Sequence, residues 1–110
     1  MIMGLFDSFF KNKIDINEAV AGLKDVPGAV LVDVREPMEY AAGHIPGSTN
    51  IPVGSLKMAA DAFAEKSVPI YVYCQSGMRS RKAAAILREA GFSNVTDLGG
   101  INAWRGPEES

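Results

Sequence analysis

A chain of 110 residues, 47% of them hydrophobic, has the length of one domain and the apolar content for one ordinary core. That composition excludes both a disordered chain and a membrane protein. Eleven Lys and Arg against 13 Asp and Glu leave a net charge of −2, which argues against a general nucleic-acid footprint and confines any positive site to a local cluster.

The opening MIMGLFDSFFK is apolar, short and interrupted by Asp7, with no basic stretch before its apolar residues. It reads as an N-terminal tail over residues 1–12 rather than a signal peptide or a membrane span, and no stable membrane insertion is expected. MGLFDS fits the myristoylation pattern only if translation starts at Met3. A domain is expected over 13–106 and a short C-terminal tail over 107–110. A short strand is predicted at Ile14–Ile16, then a helix from Asn17 to Leu23 with Asn17 as its N-cap. Asp25–Gly28 is a turn, and AVLVDV, Ala29 to Val34, is a strand covered on both faces. Pro37 starts a helix through Ala42, and Gly43 and Pro46–Gly47 punctuate a loop before a short strand at Ser48–Ile51. Leu56, Ala59, Ala60 and Phe63 recur at helical spacing and predict a helix over 55–65. Val68 to Tyr73 is the next strand, and a helix follows from Ser80 to Ala90 with Gly91 at its C′ position. Val95 to Leu98 is a last strand, leading through Gly99–Gly100 into a short helix that reaches Trp104. Strands alternating with helices predict an α/β fold, an open, mainly parallel sheet flanked by helices on both faces. Ligands bind such sheets beyond the carboxyl ends of the strands, where Asp33–Glu36 and Cys74–Arg79 both fall.

Cys74 is the only cysteine, so no intrachain disulfide exists and a reducing, cytoplasmic setting is expected. A lone thiol is ordinarily a small buried hydrophobe. Here the strand–loop–helix order sets it at a helix N-terminus, whose unpaired N–H groups and dipole favour an anion. Gly77 lets the loop curl, Ser76 or Ser80 caps the helix, and Arg79 adds a cation. A thiol pKa lowered from about 8.5 to about 6.5 raises the thiolate fraction at pH 7 roughly 25-fold, while falling basicity returns a factor of about 8. The net gain is about threefold, so binding of an oxyanion by the amides must contribute more. The absence of a second cysteine argues against a dithiol oxidoreductase. His44 is the only histidine, which argues against a zinc site; it fixes its loop by hydrogen bonding, although spacing alone leaves a Cys–His hydrolytic pair open.

Four segments in order resemble the rhodanese (thiosulfate sulfurtransferase) family: LVDVRE (31–36), YAAGHIPGSTNI (40–51), CQSGMRS (74–80) and LGGINAW (98–104). The resemblance runs from about Ile14 to Trp104, with Ser48 where the family more often has Ala. Cys74 and Arg79 are separated by four residues, as in the sulfurtransferases; the related dual-specificity phosphatases use a loop one residue longer.

The resemblance implies a single-domain sulfurtransferase with no metal or organic cofactor. Cys74 is the implied nucleophile, carrying a persulfide, and Gln75, Ser76, Gly77, Met78, Arg79 and Ser80 are the implied substrate-binding residues. In that scheme Arg79 binds the donor's oxyanion or supports the persulfide, with a plain surface salt bridge as its alternative. Asp33 and Arg35 are implied as a supporting buried pair, and Trp104 as core. The expected partners are a small anionic sulfur donor such as thiosulfate and a cyanide or thiol acceptor. Two alternatives stand beside this one: a sulfur-carrier or regulatory binding module using the same loop, and a small phosphatase or arsenate reductase.

Overall fold

The computed structural model describes residues 14–63 and 65–110; the expected N-terminal tail lies outside these residues. Helix α1 (Ile16–Ala21) leads through a 3-10 turn (Leu23–Asp25) into β1 (Val30–Asp33). Helix α2 (Pro37–Ala42) and β2 (Thr49–Asn50) follow, and then α3 (Leu56–Ala59) between two 3-10 turns. Strand β3 (Ile70–Cys74), helix α4 (Met78–Glu89), strand β4 (Val95–Gly100) and a 3-10 turn (Ile101–Ala103) complete the order. The four strands pair in the order β2-β1-β3-β4, all parallel. Among the described residues no helix is long and apolar enough to cross a membrane.

Side chains alternate across the sheet, so each face acquires its own core. Val32, Ile70, Val72 and Cys74 pack with Leu56, Ala83, Ala84, Leu87 and Phe92 beneath α3 and α4. Leu31, Tyr73 and Leu98 pack on the opposite face with Ile16, Ile45 and Ile101, with Trp104 partly buried beside them. The C-terminus of α4 follows the expected motif: Gly91 adopts φ 99°, its N–H donates to Arg88 and the Phe92 N–H donates to Leu87. Phe92 then folds back into the core, edge-on to Phe63 at 5.9 Å.

Five local expectations are corrected. Ile14–Ile16 is not a strand: Ile16 opens α1, and Asp15 caps it by accepting the Asn17 N–H at 2.9 Å. The Asn17 side chain instead spans to the C-terminal segment, donating to the Ala103 carbonyl at 3.0 Å and accepting the Arg105 N–H at 2.8 Å. The region 55–65 is no continuous helix: among its described residues only Leu56 and Ala60 are buried, and small side chains offer the sheet little apolar area. Helix α4 starts at Met78, two residues before the expected Ser80, behind Gly77 at φ 110°. Neither Ser76 nor Ser80 caps it; the Ser80 hydroxyl lies 3.1 Å from the Gly77 carbonyl and 3.3 Å from that of Gly99.

Candidate active site at Cys74

The chain leaves β1 towards β2 on one side and later returns to β3 on the other. The order therefore reverses between β1 and β3, and it is outside the carboxyl ends at such a reversal that an open parallel sheet has its binding crevice. Asp33 ends β1 and Cys74 ends β3, so the two segments singled out above line the two sides of this crevice.

Cys74 is 1% exposed, at the floor of its loop. Its Sγ accepts the Gly77 N–H at 3.0 Å. Burial pushes the thiol's pKa up, but the Ser80 N–H and hydroxyl and the Gly77 and Ser76 N–H groups push it down, and the net direction is downward. The donors converge on Sγ because Gly77, in the left-handed region, turns the loop directly into the first turn of α4. The loop therefore acts on the sulfur mainly through its amides.

Of the expected binding residues, Gln75, Ser76 and Met78 are exposed, Gly77 and Arg79 are half-buried, and Ser80 is buried. The Gln75 side chain turns to the opposite wall, its Oε1 accepting Arg35 Nη1 at 3.2 Å. The Arg79 guanidinium is bound bidentately by Glu39 of α2, Nη1 to Oε1 at 2.6 Å and Nη2 to Oε2 at 2.9 Å. That fork holds the Glu39 carboxyl at about 2 and raises the Arg79 pKa. The pair thus stays fully charged wherever Cys74 could be a thiolate.

Asp33 and Arg35 form the buried pair. The carboxylate accepts Arg35 Nη2 at 2.8 Å and the Arg35 backbone N–H at 2.9 Å, while Nη2 also donates to the Gly43 carbonyl at 2.7 Å. Burial lowers the Arg35 pKa, but the hydrogen bonds and charge of Asp33 outweigh it and the net direction is upward. His44 holds its loop: Nδ1 lies 2.8 Å from the Tyr40 carbonyl, the ring stacks on Tyr40 at 3.6 Å, and its backbone pairs with Glu109.

Four contributors to the site are absent from the sequence expectations. Glu39 was visible only as the second acid of a Glu36–Pro–Met–Glu39 capping box, with its Oε1 accepting the Glu36 N–H at 3.0 Å. Asn50 ties β2 to the β1 exit, its Nδ2 donating to the carbonyls of Asp33 and Arg35. The Tyr73 hydroxyl accepts the Ile45 N–H at 3.1 Å, and burial pushes its pKa well above the ordinary phenol value.

Gly100 is the fourth. An irregularity between Val72 and Cys74 in the β3–β4 ladder, with Gly99 at φ 81°, brings Gly100 level with Cys74. A Cβ on Gly100 would collide with the Gln75 carbonyl oxygen and lie 2.7 Å from Ser76 Cα. Gly100→Ala is therefore expected to push the loop outward, lowering stability by about 1–3 kcal/mol and any turnover at Cys74 by about 10²-fold. Urea unfolding and initial rates check this, and an unchanged rate would show that the loop tolerates the displacement.

The chain matches the Rhodanese-like domain family over residues 16–107. It is 46% identical over 81 residues to thiosulfate sulfurtransferase GlpE of Pseudomonas entomophila (strain L48), covering 71% of this chain and 72% of that protein. In Bacillus subtilis (strain 168) it is 43% identical over 79 residues to the uncharacterized protein YqhL, covering 71% of this chain and 62% of YqhL. It is 36% identical over 101 residues to the putative sulfur carrier protein YrkF of the same organism, covering 91% of this chain and 49% of YrkF. The chain thus spans less than two thirds of either Bacillus protein. The solution structure of the rhodanese-like domain of the Anabaena sp. Alr3790 protein superposes with a TM-score of 0.80 at 35% identity, covering 89% of this chain and 78% of that one. With the family matched over residues 16–107 and the parallel sheet delivering Cys74 to its loop, the chain belongs to the rhodanese-like domain family.

Proposed function

We propose that the chain is a sulfurtransferase that moves a sulfane sulfur from thiosulfate or a persulfide donor to cyanide or a thiol acceptor through Cys74. The observation that carries this is the Cys74 Sγ itself, held at a helix N-terminus with the Gly77 N–H donating to it at 3.0 Å. The similarity to GlpE supports the same chemistry.

In the first half-reaction the Cys74 thiolate attacks the outer sulfur of thiosulfate. The bond between the two thiosulfate sulfurs breaks, and sulfite leaves with its electron pair. One negative charge then sits on the terminal sulfur of the Cys74 persulfide, where the amides from Gln75 to Ser80 can stabilise it. In the second half-reaction cyanide, or an acceptor thiolate, attacks that terminal sulfur. Thiocyanate or a new persulfide departs, and the Cys74 thiolate is regenerated. No metal or organic cofactor enters either step.

Similarity to YrkF over 91% of the chain favours a second reading, in which the loop carries sulfur to a partner and thiosulfate turnover is incidental. One experiment separates the readings. The protein is incubated with thiosulfate and its intact mass is recorded before and after cyanide. A gain of one sulfur atom on Cys74, removed by cyanide at a catalytic rate, is expected. An adduct discharged much faster by thiols than by cyanide would favour the carrier. No adduct, together with hydrolysis of a phosphate ester, would sink both in favour of a phosphatase.

A further inference from the structure

The Arg79–Glu39 fork crosses from the helix after β3 to the helix after β1, so the cation that follows the loop in sequence is already neutralised. Arg79 feels the Cys74 thiolate as well as Glu39, which puts the pair within electrostatic reach of the sulfur. Both side chains are about one-third exposed, so an anion entering the crevice can meet them.

We propose that Glu39 is a specificity-determining residue, which holds Arg79 in a neutral pair so that the loop amides, rather than a free guanidinium, receive the donor. The inference rests on the sulfur-transfer reading of this site and names the donor it suits. Thiosulfate carries two negative charges, and its leaving group, sulfite, carries two as well. The persulfide of a small thiol carries one at its reacting end. A free Arg79 would favour the dianions at both stages, binding thiosulfate more tightly and retaining sulfite. The neutral pair withholds that advantage, and the monoanionic persulfide becomes the better-matched donor.

Glu39→Gln keeps an oxygen for the Glu36 N–H and removes the charge. Arg79→Gln leaves Glu39 as an uncompensated carboxylate, and the double variant replaces a neutral pair by a neutral pair. Sulfite binding is read as protection of Cys74 from iodoacetamide, an assay that needs no sulfur transfer. For an anion held about 6 Å away in a water-like dielectric of about 80, one unit of charge shifts dianion affinity by about 3–10-fold, the lower figure with salt screening. Sulfite affinity is expected to rise by that factor in Glu39→Gln, to fall by about as much in Arg79→Gln, and to return within about twofold of the parent in the double variant. The changes should shrink at 1 M salt, where the screening length is about 3 Å.

In turnover, Glu39→Gln should lower the KM for thiosulfate by about 3–10-fold with kcat within about twofold, and lower that for 2-mercaptoethanol persulfide by much less. If Glu39→Gln does not fold, as judged by its melting curve, the Arg79→Gln and double variants decide. A double variant that loses sulfite affinity more than about tenfold would overturn the proposal, because Arg79 would then be a direct oxyanion ligand. So would an unchanged or weakened affinity in folded Glu39→Gln. If the parent takes up no sulfur, the sulfur-transfer reading fails while the protection assay still decides the role of Glu39.

Discussion

Cys74→Ser is expected to abolish sulfur uptake and to lower any sulfur-transfer rate by about 10⁴-fold or more, while the fold survives. The loop N–H groups push the thiol's pKa downward against the effect of burial and so favour the attacking thiolate. A serine hydroxyl starts too high for the same N–H groups to ionise it, and its oxygen forms no persulfide. The substitution is nearly isosteric at a site 1% exposed, and the hydroxyl can accept the Gly77 N–H that Sγ now accepts. Stability should therefore change by no more than about 1–2 kcal/mol. Intact mass after thiosulfate treatment and a urea unfolding curve read the two effects separately. Sulfur uptake by the folded Cys74→Ser protein would place the chemistry on another residue.

Asp33→Asn is expected to lower unfolding free energy by about 3–5 kcal/mol, a large fraction of the roughly 5–15 kcal/mol of a typical domain. Asp33 is wholly buried and Arg35 is 4% exposed, and Arg35 Nε, Nη2 and backbone N–H all donate to the one carboxylate. With Asn at 33 the guanidinium keeps its charge but loses its counterion, and the new amide turns donors towards donors. With a urea m-value near 1–3 kcal/mol/M, the midpoint should fall by about 1–5 M, about 2 M at the middle of both ranges. The consequence reaches the site, because Arg35 also holds the Gly43 carbonyl and the Gln75 side chain. Pairing Asp33→Asn with Arg35→Met should restore part of the loss, since no unbalanced charge then remains buried. A single-variant loss below about 1 kcal/mol would mean that water reaches the pair.

Most of the architecture could be read from local signals. The β-branched apolar run of β1, the run delivering Cys74, and the Gly91–Phe92 stop of α4 each depend on residues close in sequence, whose conformational preferences act over a few positions. The signal failed where a polar residue had a distant use. Asn17 looked like a cap, yet its amide is taken by the chain near residues 103–105, which freed Asp15 to cap α1. The segment 55–65 had helical spacing but too little apolar bulk to sustain a helix against the sheet.

The α/β class and the thiol at the end of a strand follow from local sequence patterns alone. So do the four-residue spacing to Arg79 and the acid and base two positions apart at the end of β1. Strand pairing decided the rest. Only the crossover between β1 and β3 brings α2 beside α4, so only the tertiary structure makes Glu39 the partner of Arg79 across 40 positions of sequence. The same pairing brings Gly100 against the loop carbonyl of Gln75. Such contacts have no local signature, because the free energy that fixes them is spread over both buried faces of the sheet. Arg79 in isolation is a cation awaiting an anion; in the folded chain it already has one.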